Sequence, residues 1–429
     1  MSLLFIILLL SGLLLYVTGK YIASAFIFFF FLLKGFQIIP ESYFVLKPID
    51  YAVVYIFALF IWGCIKYDNF IPKNRITLFI SIYLTFILFE MSLSHFYYHI
   101  PWSEIIRTGR QHLFVLSYFI FRRLNKSEID YLIKLLFYVV LIQCCLFIIQ
   151  VPTGLPMLTG YEGNFKYGYI YRCYNIPILL CFYVFYGVFC NPFKNPKLVI
   201  TSIILLTATV FLPLHRSWSI IFIAILIFGF LLKFGMLKSL RNILITGGIA
   251  IMLLSVCSVY ISSRTMNDID KVSKGEYMDT EDIELDQEST LLFRFAHFYE
   301  RFIETTETSI GSVFGVGFMS EGSKYTYNNF NFIVGLSDEK TNEIVQLDTS
   351  DIAWSLLILR YGIVGSIIFL SFYVYFIVFY GRRYNNPMAL SIMLYLIFII
   401  GLSITSDQLY YVSFFVFPLM YNDILYEKS

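Results

Sequence analysis

The chain has 429 residues, of which 59% are hydrophobic and only 14% charged, with a mean hydropathy of +0.74. A soluble domain runs near half apolar and a quarter charged, so a water-soluble globule is excluded. The net charge of +2 gives no basis for a nucleic-acid partner, and the seven scattered cysteines form neither a disulfide framework nor a metal-ligand spacing.

The apolar residues come in blocks such as Ser2–Val17, Tyr21–Ile39, Leu198–Leu212 and Asn242–Ile261. Each approaches the length a helix needs to cross about 30 Å of hydrocarbon. Backbone facing lipid must satisfy its own hydrogen bonds, so the blocks are predicted helices; they lack the alternation of barrel strands. The fold class expected is therefore all-α, a polytopic membrane protein of about 13 spans. In chain order these are 3–17, 21–39, 51–66, 76–94, 101–121, 132–151, 177–190, 198–213, 217–233, 242–262, 352–380, 388–405 and 409–426. Spans 1–10 occupy 1–262, a large loop 263–351, and spans 11–13 the remainder, 352–429. The N-terminal block lacks a basic flank and a small-residue cleavage site, and reads as a first span rather than a removed signal.

Five short loops are basic: Lys66–Arg75, Arg122–Lys126, Lys194–Lys197, Lys233–Arg241 and Gly381–Arg383. With thirteen spans all five fall on one side, which the positive-inside rule makes the cytoplasm. The two longer connections, Pro152–Ile176 and Ser263–Ser350, are then external. Most cysteines sit inside apolar blocks, and Cys173, in the first of these loops, is expected to be exposed.

In the large loop, Asp268 to Glu288 is acidic and poor in bulky residues, so it reads as a solvated stretch. Ser289 to Thr308 has helical periodicity. Leu292, Phe295, Ala296, Tyr299, Phe302 and Ile303 share one face, and Arg294, His297, Glu300, Arg301 and Glu304 the other. Such a helix is expected to lie on the membrane surface with its apolar face down.

Ionisable residues within spans are costly and face a cavity or a partner. Glu104, Arg107, Arg110 and Gln111 share a sector of the fifth span. His215-Arg216-Ser217 sits at a hairpin with almost no loop, and Arg360 lies about two turns into the eleventh span. All three places, with Glu90, His95, His99, Glu162 and Arg172, are expected near the external face. Plainer readings exist for each: a snorkelling Glu104–Arg107 pair, a hairpin anchor at Arg216, an aromatic belt at Tyr161–Tyr174, and a wet helix face for Arg294, His297 and Arg301. Against them stands convergence: arginines from separate elements meet one face. Guanidinium groups suit a pyrophosphate, since each forks onto two oxygens and stays charged.

Three stretches carry a resemblance. Leu206 to Leu226 reads LTATVFLPLHRSWSIIFIAIL, two apolar helices with an Arg-Ser step between them. Phe293 to Phe318 holds an arginine, an amphipathic helix and then Gly-Val-Gly-Phe at Gly315–Phe318. Asp348 to Gly365 reads DTSDIAWSLLILRYGIVG. Together with the span count and the single large loop, these resemble the O-antigen polymerase and ligase superfamily of bacterial membrane glycosyltransferases. Ligases of that superfamily carry a histidine late in the large loop, where this chain has Asp348, Thr349, Ser350 and Asp351, which favours a polymerase.

The resemblance implies a location in the bacterial cytoplasmic membrane with the active site outside. It implies undecaprenyl-pyrophosphate-linked oligosaccharides as donor and acceptor, lipid contact, and a chain-length regulator as a further partner. It implies no cofactor and no metal, and the sequence has no acidic pair arranged for one. On this reading Arg216, Arg172 and Arg294 hold the donor pyrophosphate, with Arg301 and Arg360 in reserve. His297 is the first choice for the acceptor's base, with Glu300 and Asp351 behind it. His215, Glu104, Arg107 and Arg110 are secondary candidates. A ligase, another external glycosyltransferase, or a lipid-linked oligosaccharide flippase or transporter remain alternatives.

Overall fold

The computed structural model describes residues 2–160, 166–167, 169–236, 270, 272–275, 290–319, 330 and 352–426, without the side chains of 2, 166–167, 216, 290–293 and 426. Among these residues the regular secondary structure is helical apart from one short hairpin, in which Lys166–Tyr167 pairs antiparallel with Ile170–Tyr171. The α-helices are α1 (Ser2–Val17), α2 (Tyr21–Leu32), α3 (Pro48–Lys66), α4 (Arg75–Phe96), α5 (Trp102–Gly109), α6 (Ser117–Phe121), α7 (Lys126–Thr153), α8 (Leu180–Cys190), α9 (Pro196–Phe211) and α10 (Arg216–Lys233). They continue as α11 (Thr290–Thr306), α12 (Ser309–Phe314), α13 (Ala353–Gly381), α14 (Pro387–Leu402) and α15 (Val416–Tyr426).

Four of these, α3, α4, α7 and α13, are long and apolar enough to cross a bilayer. This agrees with a helical protein embedded in a membrane. Seven further expected spans appear as shorter apolar helices. The shortest, α8, rises about 16 Å at 1.5 Å per residue. The expected span 101–121 is a composite: α5, a 3-10 turn over Arg110–Leu116, then α6. The expected span 242–262 and the acidic 276–288 lie outside the described residues.

Local chemistry sets the helix starts. Four helices that leave basic loops begin on an asparagine: Asn74 before α4, Asn125 before α7, Asn195 before α9 and Asn386 before α14. Each amide oxygen takes a backbone N–H of the first turn, which otherwise has no intrahelical partner. Asn125 and Glu128 complete a reciprocal capping box. The neighbouring loop ends meet in space. Tyr118 donates to Asp423 at 2.9 Å and accepts from Asn74 at 2.6 Å, and Arg122 pairs with Asp423 at 2.5 Å. Arg123 stands 4.2 Å over the Tyr67 ring.

Between its ends the bundle is packed with aromatic rings. Phe417 stacks on Phe29 at 5.3 Å and on Phe182 at 4.8 Å, which joins α15 to α2 and α8. Lipid supplies no hydrophobic drive between helices, so close packing of large side chains provides the cohesion. Cys173 is buried, not exposed as its loop position suggested. It packs with Phe147, Val151 and Leu158, because a short return of chain folds back on the end of α7. Gln150 and Asn175 hold that return with a mutual bond at 2.7 Å.

Candidate functional site

The end of the bundle away from the asparagine caps is where charge is buried. It is assembled around α13, whose helix breaks at Gly362 (φ 60°, ψ −162°). That conformation is open to glycine and closed to residues with a Cβ. The segment Gly315–Met319 lies across the break. Gly315 has φ 82° and Gly317 φ 105°. A Cβ on Gly315 would stand 2.7 Å from the backbone of Arg360 and Gly362. Glycine on both strands is what lets the two backbones touch. Val316 N–H donates to the Leu359 carbonyl, just before the break, at 2.7 Å.

The segment is held on every side. Phe318 N–H donates to Ser94 Oγ at 2.9 Å, Thr108 Oγ1 donates to the Phe318 carbonyl at 3.3 Å, and Arg360 Nε donates to the Met319 carbonyl at 3.1 Å. Val316, Phe318 and Met319 are buried. The Gly-Val-Gly-Phe stretch, read from sequence as part of a soluble loop, is thus part of the packed interior.

Helix α11 docks on the first turns of α13 by its polar stripe. His297 and Arg301 are 4% and 1% exposed, and Thr305 continues the stripe one turn on. His297 Nδ1 lies 3.0 Å from Ser355 Oγ. Arg301 pairs with Glu300 at 3.2 Å and stands 4.4 Å over the Phe330 ring. Ile303, on the opposite side, is 46% exposed. The reading of Arg294, His297 and Arg301 as a merely wet face does not fit: two of the three are buried against protein, and Arg294 is half-buried. Burial, and secondarily the Arg301 charge, hold the His297 pKa well below the usual 6.5. The ring is therefore neutral and able to accept a proton.

The hairpin between α9 and α10 joins the same end through a chain of contacts. Arg172 Nε donates to the Pro213 carbonyl at 3.3 Å, and its guanidinium stands 5.0 Å over the Tyr174 ring. His215 Nδ1 lies 3.0 Å from Ser217 Oγ, and Ser217 meets Thr405 at 3.0 Å. Two residues away, Ser403 accepts from the Trp354 indole at 2.9 Å and from Ala353 N–H at 3.2 Å. Ser355, the partner of His297, follows directly.

Arg360 is 7% exposed, and its guanidinium stands 4.8 Å over the Tyr410 ring. The structure thus sets Arg360 on α13 and docks α11, which carries Arg294, His297, Glu300 and Arg301, against it through His297, with Arg172 and His215 reached along the 403–405 turn. The side chain of Arg216 and the whole of Asp351 and Glu162 lie outside the described residues. The fifth-span group divides. Arg110 is paired with Asp50 of α3, Arg107 is exposed and Glu104 is half-buried, while Thr108 of that stretch reaches the Gly315–Met319 segment.

Two buried groups at this end were not assigned a role from sequence. Glu90 is fully buried, and its carboxyl oxygens have no hydrogen-bond partner among the described residues. It lies one turn before Ser94 on the buried face of α4. His112, in the 3-10 turn, bridges two phenols: Nδ1 to Tyr83 Oη at 2.6 Å and Nε2 to Tyr361 Oη at 2.9 Å. The signal for Glu90 was a carboxylate in an apolar run. For His112 there was none, since its partners are 29 and 249 residues away.

Among the described residues no group of three or more histidine, cysteine or acidic side chains could hold a metal ion. The chemistry this end offers is a set of guanidinium groups in a low-dielectric setting together with the neutral imidazole of His297. Comparison with known proteins yields no match, either to a family model or to a curated protein.

Proposed function

We propose that this chain is a membrane glycosyltransferase that polymerises oligosaccharide repeat units carried on undecaprenyl pyrophosphate, with its site on the external side of the bacterial cytoplasmic membrane. The observation that supports this most is the burial of Arg360 on the broken helix α13, with Arg301 and neutral His297 buried on α11, which docks against it through Ser355. Pyrophosphate departs as the anomeric bond breaks, so negative charge grows on it. Fixed guanidinium groups in a dry site stabilise that charge without reorganising. The acceptor sugar hydroxyl attacks the anomeric carbon and gives its proton to His297, whose burial keeps the ring in the neutral form from which a base must start. Arg360 and Arg301 take the leading place at the pyrophosphate, with Arg294, Arg172 and Arg216 around them. Thirteen spans with cytoplasmic basic loops complete this reading.

The test is made with purified protein in detergent, given synthetic lipid-linked repeat units, with product length read on a gel. Wild-type protein is expected to build chains in the presence of a chelator. Arg360→Ala and His297→Ala are expected to lose about two or more orders of magnitude, the scale of a lost charge stabiliser or base. Wild-type chain lengths from both variants at equal abundance would place the chemistry elsewhere. Transfer of a single unit to a different acceptor would point instead to a ligase.

A further inference from the structure

The described contacts that position Arg360 each lead back to His112. Arg360 Nε is held by the Met319 carbonyl at 3.1 Å, and its guanidinium stands 4.8 Å over the Tyr410 ring. The next residue, Tyr361, precedes the Gly362 break. His112 touches Tyr361 and Tyr410 directly and the Met319 carbonyl through the neighbouring Phe318. Its Nε2 bonds the Tyr361 hydroxyl at 2.9 Å. Its ring meets the Tyr410 ring edge-on at 6.0 Å, and Tyr410 in turn stacks on Tyr361 at 6.0 Å. It also meets the ring of Phe318, the residue before Met319, at 5.4 Å. On the far side, Nδ1 lies 2.6 Å from the Tyr83 hydroxyl of α4. His112 itself is fully buried within the 3-10 turn Arg110–Leu116, a geometry that often marks a functional position inside a helical run.

We propose that His112 is a positioning residue for Arg360: by bridging Tyr83 and Tyr361 it fixes the Tyr361–Tyr410 stack and the Phe318 ring beside the Met319 carbonyl, which together aim the guanidinium at a pyrophosphate group. This rests on the reading of Arg360 as a pyrophosphate-binding residue. His112 touches no substrate in this scheme. A guanidinium gives its full worth to a phosphate only when its fork is pre-aligned, and side chains that lock its rotamer supply that alignment.

The experiment measures equilibrium binding of farnesyl pyrophosphate to the purified full-length protein in detergent. His112→Ala and Arg360→Ala are each expected to weaken binding, His112→Ala by about tenfold, within the range of coupled neighbours. If His112 acts through Arg360, the double variant binds no more weakly than Arg360→Ala alone. Two conservative variants separate positioning from general support of the fold. Glutamine places its amide near the Nε2 position and can keep the Tyr361 bond; asparagine places its amide near Nδ1 and can keep only the Tyr83 bond. The two replacements are equally neutral and polar, yet His112→Gln is expected to retain clearly more affinity than His112→Asn. Tyr83→Phe, which leaves the ring packing intact, is expected to cost only about threefold, within the same range. Additive losses in the double variant, unchanged binding by His112→Ala, or equal losses for the two conservative variants would overturn the proposal while leaving the pyrophosphate reading in place. Failure of wild-type protein to bind the probe would overturn both. Binding without polymerisation would remove the polymerase reading alone.

Discussion

His297 shows what burial does to a single side chain. Free in water it would take up a proton near the physiological range; against Ser355 and beside Arg301 it does not. The consequence for stability has a definite sign. Below about pH 6.5 the unfolded chain binds a proton at this residue and the folded chain does not, so the stabilisation is present above that pH and drains away as the pH falls. Thermal midpoints in detergent, taken from about pH 7.5 down to about pH 5, should fall more steeply for wild-type protein than for His297→Gln. Parallel curves would mean that another group titrates. Glu90 presents the opposite case, a buried carboxyl without a hydrogen-bond partner among the described residues. A residue so costly to bury is a candidate for function by that fact alone. Both residues could be singled out in the sequence, Glu90 as a charge in an apolar run and His297 as the centre of a polar stripe, but their burial could not.

Helix α13 is where one element decides the site. Its sequence, AWSLLILRYGIVGSIIFLSFYVYFIVFYG, reads as one uninterrupted span. A glycine inside a helical pattern is tolerated and does not announce a break. What makes Gly362 a break is the arrival of Gly315 and its neighbours from a distant part of the chain. A Cβ on Gly362 would stand 2.5 Å from Gly315 N and 2.7 Å from Phe314 N, both backbone atoms that cannot step aside. Gly362→Ala is therefore expected to lose at least about 1–3 kcal/mol from backbone strain, with the clash added. Gly381→Ala, at the other end of the same helix, meets only the flexible Met393 sulfur at 3.3 Å and should be tolerated. Thermal unfolding of the two variants side by side checks this. Equal stability would show that the break is not maintained by contact with the Gly315 strand. The docking of α11 shows the same limit of sequence reading. Its two faces were legible, but not which of them packs inward, because the partner, Ser355, lies in another helix.

For the whole molecule, the apolar blocks predict the helices well, and the span limits less well. Two expected crossings, α8 and α14, are short helices buried on most sides, and a buried short helix and a lipid-facing span have the same composition. The proposed orientation carries its own test. A reporter fused after Arg383 should register the cytoplasm, and one inserted at Asp282 the outside. The same compartment at both sites would remove the external site and, with it, access to a substrate presented there.

By itself the sequence determined that the chain is a helical membrane protein, roughly where its apolar helices lie, and that its charge gathers in a few stretches. These follow from properties that act within a turn or a span of neighbours: hydropathy and 3.6-residue periodicity. Only the tertiary structure decided that Gly315–Met319 lies across the break in α13, that α11 packs by its polar stripe, that Arg110 is paired with Asp50, and that His112 joins Tyr83 to Tyr361. Each of these depends on residues brought together from far along the chain, and the pairing of distant surfaces is set by shape and hydrogen-bond complementarity that no local pattern encodes.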